Sequence, residues 1–142
     1  MILLDTNAVS ELMRKGPDSR VIKWLDGQRE WDVWISAVTM AEIRLGIYLL
    51  PEGKRKDLLL ESAERMFYED FADRCLPFDC EASSVYGLIV SERSKRGHPI
   101  SVEDAQIAAI ALTAGLTLAT RNTKDFFDIK GLELWNPFNE IH

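Results

Sequence analysis

Short apolar runs alternate along this chain with longer segments whose apolar residues recur at helical spacing. The first run, residues 2–4, leads directly into Asp5-Thr6-Asn7. A continuous apolar run of this length is typical of a central strand in a parallel sheet, covered on both faces. Further strands are predicted at residues 33–37, 75–78, 116–119 and 132–135. The alternation predicts an α/β fold with three α/β/α layers and a mainly parallel central sheet.

The intervening segments predict helices, which we place at residues 8–14, 19–27, 38–50, 54–74, 81–96 and 101–114. Gly97 and Gly115 follow the last two, and glycine commonly ends helices. Residues 101–114 are apolar almost all round, which predicts a buried helix. No repeat or linker divides the 142 residues, so one domain spanning residues 1–142 is predicted.

The net charge of −6 argues against a protein that holds nucleic acid through bulk charge. A nucleic-acid enzyme of this composition would need local basic patches or a bound cation. Cys75 and Cys80 lack the spacing of zinc or redox sites, which predicts reduced thiols in the cytoplasm. No apolar run could span a bilayer, and Asp5 interrupts the apolar N-terminus, so neither membrane association nor a signal peptide is expected.

Asp5 stands directly after the first predicted strand. In open α/β sheets, ligands bind outside the carboxyl ends of the strands, so this position suits a functional acid. The alternative is structural, because Asp5 or Asn7 could cap the next helix by accepting its free amide hydrogens.

Glu42 has the same two interpretations. Residues 39–42 fit a capping box, in which Glu42 would bond back to Thr39. However, Glu42 shares a helical face with Leu45 and Leu49, which predicts that this face points inward. An unpaired carboxylate there would be costly to bury.

Asp104 lies in a capping-like sequence that starts at Ser101, where the helix dipole favours acids. Asp104 is nevertheless on the face of Ile107 and Ala108 in the most apolar predicted helix, whereas its neighbour Glu103 should be solvated. A fourth polar position follows the strand at 116–119: residues 120–125 contain Asn122 and Asp125. Here the alternative is a turn in which Asn122 caps residues 124–127.

Capping does not explain why Asp5, Glu42 and Asp104 should all point to one interior edge. Three such carboxylates repel one another unless they are protonated or neutralised. Oxygen ligands without histidine or cysteine favour magnesium or manganese over zinc. His98 and His142 are expected at the surface, without an acid–base role.

Four segments, residues 1–7, 36–46, 104–109 and 120–126, resemble in order the four motifs of PIN-domain ribonuclease toxins. The resemblance is to the VapC group, in particular its FitB-like members, and it covers essentially the whole chain. It implies a PIN-type α/β/α fold, dimerisation, and cleavage of RNA that depends on Mg²⁺ or Mn²⁺. It also implies a small partner antitoxin, encoded beside the toxin, with which a larger complex could form.

By motif position, Asp5, Glu42 and Asp104 correspond to the family's acidic residues. Many members have a fourth acid where this chain has Asn122, so the fourth ligand is either the Asn122 carbonyl or Asp125. Our hypothesis is that Asp5 and Asp104 bind the ion directly, while Glu42 holds a ligated water or a second ion. The metal would activate a water and stabilise charge on the phosphate, and Asn122 completes the predicted catalytic set.

Residues beside the motifs are the predicted substrate contacts: Thr6, Asn7, Thr120 and Arg121. The basic runs 54–56 and 93–96 are more simply explained as solvated faces, and Arg14-Lys15 is a further candidate for contact with an RNA strand. Two apolar stripes could contact an antitoxin or a second subunit, or could be ordinary core: residues Leu45, Tyr48 and Leu49, and residues Leu59, Met66 and Phe67.

Three other classes compete with a nuclease. Phosphatases and phosphotransferases with a strand-end Asp nucleophile commonly have another Asp two residues on, where this chain has Asn7. A receiver domain would have an acid pair near the first strand, and Asp5 has no acidic neighbour. The non-enzymatic alternative is a binding module for nucleic acid or protein on a degenerate PIN fold, and the three acids argue against it.

Overall fold

The structure is a computed structural model that describes residues 1–139. Its strands are β1 (Ile2–Leu4), β2 (Val33–Ser36), β3 (Cys75–Leu76), β4 (Thr117–Ala119) and β5 (Leu134–Trp135). Its α-helices are α1 (Thr6–Leu12), α2 (Ser19–Asp26), α3 (Ala37–Tyr48), α4 (Lys54–Arg65), α5 (Cys80–Lys95) and α6 (Val102–Ala114). The last three residues of the predicted domain, including His142, lie outside the described part of the chain.

The five strands form one sheet in the order β3-β2-β1-β4-β5, and every pair is parallel. β1 is central: Leu3 lies opposite Trp34 on one side and Leu118 on the other. Strand residues alternate between the two faces, so Leu4 enters one core and Leu3 the other. The predicted three-layer α/β/α fold is confirmed.

The two cores differ in the helices that cover them. On one face, β-strand residues pack against side chains of α1, α3 and α4, such as Val9, Ile43 and Ala63. On the other face, α5 and α6 cover the sheet, and Ile107 and Ala108 are almost fully buried. The prediction of a buried helix over residues 101–114 is confirmed. No helix within residues 1–139 combines the length and apolar character needed to cross a bilayer.

The long helix predicted over residues 54–74 is wrong in its second half. α4 ends at Arg65, and residues Met66–Asp70 form a π-helical turn in which the Phe71 amide donates to the Met66 carbonyl at 3.0 Å. The chain then turns so that the buried Arg74 guanidinium can donate to the backbone carbonyls of Val33, at 2.7 Å, and of Asp70. Helical periodicity does not predict this connection to β2.

The starts of α1 and α3 differ from the prediction because of their N-caps. α1 begins at Thr6 rather than residue 8, since Asp5 Oδ1 accepts the Ala8 amide hydrogen at 2.9 Å. α3 begins at Ala37 because Ser36 Oγ accepts the Thr39 amide hydrogen at 3.1 Å. The predicted capping box between Thr39 and Glu42 is therefore wrong, and β2 ends one residue earlier than predicted.

The inward face predicted for Glu42 on α3 is also wrong. The core side of this helix consists of Thr39, Met40, Ile43 and Ile47. Leu45, Tyr48 and Leu49 are 59%, 54% and 76% exposed, so this stripe is surface. The second stripe divides: Met66 and Phe67 are core, whereas Leu59 is half-buried.

Candidate active site

The predicted acids lie near one another at the carboxyl edge of the sheet because β1, β2 and β4 are parallel neighbours. Asp5 follows β1 and Thr120 follows β4, and the Asp5 amide donates to the Ala119 carbonyl at 3.0 Å. Ser36 is the last residue of β2 and introduces α3, which carries Glu42. This edge is where ligands bind in open α/β sheets.

Asp5 is only 5% exposed, and its carboxylate serves two purposes. It caps α1 through Ala8, and it also forms a hydrogen bond with the Thr120 side chain. Burial raises the pKa of Asp5, the two hydrogen bonds oppose the rise, and the charges of Asp104 and Glu42 add to it, so that the pKa is about 6. Asp5 therefore both caps α1 and belongs to the acidic cluster.

Glu42 is held by a chain of three hydroxyl groups. Thr6 Oγ1 donates to Glu42 Oε1 at 2.6 Å, and Thr6 Oγ1 and Thr39 Oγ1 are 3.0 Å apart. Because a hydroxyl has one hydrogen, Thr39 must donate to Thr6, and Ser36 Oγ lies 3.4 Å from Thr39 as its donor. Every hydrogen in this chain points toward the Glu42 carboxylate.

Asp104 lies in the first turn of α6, where its amide donates to Ser101 Oγ at 3.1 Å. The predicted cap is therefore present, and Asp104 is also half-buried. Burial raises the pKa of Asp104, against the Ser101 hydrogen bond, and the charges of Asp125, Glu42 and Glu103 add to the rise. Since the charge of Glu42 raises the pKa of both Asp5 and Asp104, the three acids form one electrostatic neighbourhood.

The two candidates for the fourth ligand, Asn122 and Asp125, have different surroundings. The Asn122 amide donates to Thr120 Oγ1 at 3.1 Å, and its side chain makes no capping bond to the short 3₁₀ turn Thr123–Asp125. The side-chain cap considered for Asn122 is thus absent. Asp125 ends this turn, and its charge contributes to the raised pKa of Asp104.

Within residues 1–139, no three acidic, histidine or cysteine side chains converge closely enough to hold a metal ion as they stand. The acids nevertheless fit a divalent cation in chemistry, because Asp5 is buried among carboxylates and a cation would supply the missing counter-charge. All donors in the cluster are carboxylate or hydroxyl oxygens, which suit Mg²⁺ and Mn²⁺. His98 is exposed and lies elsewhere, as predicted.

The residues predicted to contact substrate occupy different depths. Asn7 and Arg121 are exposed at the rim, and Thr6 is half-buried against Glu42. Thr120 is fully buried beneath Asp5, so it offers no surface to a substrate. Its hydroxyl instead connects Asp5 with the amide of Asn122.

Sequence reasoning missed Ser36 and Thr39 as members of the site. Both lie within the motif 36–46, but nothing local indicates that their hydroxyls extend to Thr6, 33 positions before Thr39 in the chain. Both side chains are fully buried, and buried hydroxyls need partners. That need is the signal that could have identified them.

A groove of about 1110 Å³ opens beside the acids, between α1, α3 and α4. Thr6 and Glu42 are among its lining residues. Apolar residues line the groove and basic residues stand along it: Met13, Ile43, Ile47, Leu50, Leu58 and Leu59, with Arg14, Lys15, Lys54 and Arg55. This groove is called the α3–α4 groove below.

The parallel sheet and the acids at its carboxyl edge define a PIN-type domain, and residues 2–132 match the model of the PIN domain family. The chain belongs to that family. It is 44% identical over 140 residues to Toxin FitB of Neisseria gonorrhoeae, covering 99% of this chain and all of the relative. It is 38% identical over 138 residues to the VapC ribonuclease Y4jK of Sinorhizobium fredii, covering 97% and 98%.

Solved structures agree with these relatives. The structure of FitAB bound to an IR36 DNA fragment superposes with a TM-score of 0.91 at 43% identity, covering all of this chain and 99% of that chain. That protein is a toxin–antitoxin complex, and other neighbours in structure are VapBC complexes. The predicted resemblance to PIN-domain toxins is confirmed.

Proposed function

We propose that this protein is an endoribonuclease that depends on Mg²⁺ or Mn²⁺ and acts as the toxin of a type II toxin–antitoxin pair in the cytoplasm. The observation that carries the proposal is the shared neighbourhood of Asp5, Glu42 and Asp104 at the carboxyl edge of the sheet. The toxin and ribonuclease relatives support the reaction class.

Asp5 and Asp104 are the residues that would hold the ion directly, with Glu42 on a ligated water or a second ion. A bound cation would lower the pKa of a water and stabilise negative charge on the scissile phosphate. The protein's own contribution is positioning: Thr120 and the Ala8 amide hold the Asp5 carboxylate, and Thr6 holds that of Glu42. Preorganised groups of this kind spare reorganisation during the reaction.

Asp125 is our choice for the fourth acid, because its charge acts on Asp104. Asn122 remains in the catalytic set through its place beside Thr120, with its amide side chain free to bond a water or phosphate oxygen.

An antitoxin segment is the occupant that suits the α3–α4 groove. The apolar floor fits one face of an amphipathic helix, and the basic residues along it fit acidic side chains. Because Thr6 and Glu42 line the groove, a segment bound there would block the acids. The exposed stripe Leu45, Tyr48 and Leu49 is the surface that we assign to a second copy of the chain, as a homodimer.

Cleavage of cellular RNA by the purified protein tests the function, with Mg²⁺, with Mn²⁺ and with chelator. We expect cleavage only with metal, and loss of at least ~100-fold in Asp104→Asn, in line with the loss of a principal electrostatic group. Glu103→Gln is the matched control, since Glu103 is exposed beside Asp104. Cleavage that persists in chelator contradicts the mechanism. Manganese and RNA binding without cleavage would instead indicate a binding module.

A further inference from the structure

A second, polar cleft of about 410 Å³ lies beside α1 and next to the α3–α4 groove, and Ser10 and Arg14 line both. Its lining residues are Asn7, Ser10, Glu11, Arg14, Arg121, Asn122 and Phe138. Two of them connect the cleft to the acids: Asn7 is two positions after Asp5, and the Asn122 amide bonds to Thr120, which holds Asp5. The cleft therefore begins where the acidic cluster ends.

Arg121 is fixed in this cleft by an aromatic ring. Its guanidinium carbon lies 4.5 Å from the centroid of Phe138, a ring that is only 4% exposed. Asn136 ties the two together, because its Nδ2 donates to the Arg121 carbonyl at 3.4 Å and its Oδ1 accepts the Phe138 amide hydrogen at 2.9 Å. A guanidinium held over a ring keeps its planar fork of donors in one orientation.

Within residues 1–139, no side chain or carbonyl accepts a hydrogen bond from the Arg121 guanidinium. Among residues 1–139, its guanidinium forms no ion pair, although the charges of Arg121 and Asp18 interact at longer range. Such an arginine is unusual here, since most other arginines in this part of the chain, such as Arg44 with Glu64, are paired. A cation that is preorganised but unpaired suits an anionic ligand.

Arg14 provides a second cation on the opposite wall. Its Nη1 lies 3.3 Å from Oε1 of Glu11, which is 6% exposed and also accepts the Asp18 amide hydrogen at 2.9 Å. This buried carboxylate pairs with one end of the Arg14 guanidinium, while the Arg14 side chain itself remains 68% exposed. The cleft thus presents two guanidinium groups, and the amide side chains of Asn7 and Asn122 also line it.

We infer that this cleft binds one nucleotide of single-stranded RNA, next to the phosphodiester that the acids address. The inference rests on the proposed function. Arg121 and Arg14 would take phosphate oxygens, and the amides of Asn7 and Asn122 would bond to base or sugar edges. The cleft suits RNA rather than a peptide segment because its aromatic residue is covered by Arg121, which leaves a polar wall. It also supplies the local positive charge that a chain of net charge −6 needs to approach RNA.

Binding of a short, fluorescently labelled single-stranded RNA tests the inference, measured by anisotropy over a range of salt concentrations. The Asp104→Asn protein, with Mg²⁺ present, separates binding from cleavage. In this background, Arg121→Gln should weaken binding about tenfold and reduce the slope of log Kd against log salt by about one. Phe138→Leu should weaken binding by about threefold with little change in slope, because it frees the guanidinium but keeps its charge.

Arg29→Gln is the matched control. Arg29 is an exposed arginine that precedes β2, so it lies at the amino ends of the strands, away from the acids. The Arg29→Gln protein should bind RNA as the parent does. If Arg121→Gln also binds like the parent, the cleft is not the RNA site. Arg121→Lys is a second variant that keeps the charge, and it should bind with intermediate affinity.

Cleavage assays on protein with an intact Asp104 test the RNA cleft and the nuclease activity separately. Metal-dependent cleavage with unchanged binding in Arg121→Gln overturns the cleft alone. Binding that depends on Arg121 without any cleavage by wild-type protein supports the cleft and overturns the nuclease. A wild-type protein that neither binds nor cleaves RNA overturns both.

Discussion

Thr6 Oγ1 donates a 2.6 Å hydrogen bond to Glu42 Oε1 across 36 positions of the chain. This bond joins the first turn after β1 to the second turn of α3, so it couples two of the motifs on which the site depends. The bond also uses the only hydrogen of the Thr6 hydroxyl, which determines the direction of the bonds behind it, through Thr39 to Ser36. Glu42 is therefore held as an acceptor.

Thr39→Val should reduce turnover about tenfold at saturating RNA, with little change in KM, because Thr6 loses the donor that orients it. A tenfold loss corresponds to about 1.4 kcal/mol, within the range for one hydrogen bond that orients a charged group. Mn²⁺ binding, measured by calorimetry, should weaken in parallel. Thr39→Ser keeps the hydroxyl and should retain most of both properties.

The matched control is Thr113→Val. Thr113 lies on α6, and its buried Oγ1 has no hydrogen-bond partner among residues 1–139. Removing that hydroxyl should leave turnover unchanged and should not reduce stability. Equal losses in the two valine variants would show that Thr39 has no role beyond packing.

Asp5→Asn should stabilise the protein in chelator above pH 6. Burial raises the pKa of Asp5 to about 6 in the folded state, so ionising it opposes folding. The stability from this group is complete below pH 4 and is lost as the pH rises through 6. Asparagine also keeps the cap on Ala8. Denaturant titrations at pH 7.5 should show a gain of about 2–3 kcal/mol.

The gain of Asp5→Asn should shrink toward zero near pH 4, and cleavage should be lost at every pH. Asp26→Asn, at an exposed carboxyl at the end of α2, is the matched control and should follow the wild-type stability profile. A gain that does not change between pH 4 and 7.5 would contradict the electrostatic explanation.

Asp125→Asn should lower the affinity for Mn²⁺ about tenfold, because the change removes a carboxylate whose charge reaches Asp104. Asn122→Ala should have a smaller effect on Mn²⁺ affinity and a larger one on turnover. Calorimetric titration with Mn²⁺ separates the two. A larger loss of Mn²⁺ affinity in Asn122→Ala than in Asp125→Asn would assign the fourth ligand to Asn122.

Leu58→Glu should abolish capture of the protein by its antitoxin while leaving RNA cleavage by the free protein intact. Leu58 is 54% exposed and lines the α3–α4 groove, where a carboxylate would disrupt an apolar contact. Leu88→Glu on α5, at a residue 63% exposed outside that groove, is the control. The readout is co-purification of the proposed antitoxin. Retained capture in Leu58→Glu would contradict the assignment of the groove.

Local sequence determined most of the architecture. Alternating apolar runs and helical stripes specified the parallel sheet, and the apolar composition of residues 101–114 specified a buried helix, because both depend on the nearest neighbours in the chain. The position of Asp5 after β1 was equally local, and so was the Ser101 cap on α6. These signals located the carboxyl edge of the sheet as the site.

Tertiary structure decided what each acid contacts. Helical periodicity placed Glu42 on an apolar face, yet only the packing of α1 against α3 sets Thr6 beside it and leaves Leu45 exposed. The break after Arg65 similarly depends on a distant group, the Val33 carbonyl to which Arg74 donates. Periodicity reports which side of an element is apolar. It does not report which distant hydroxyl, ring or carbonyl will meet that side, because that depends on contacts between residues far apart in the chain.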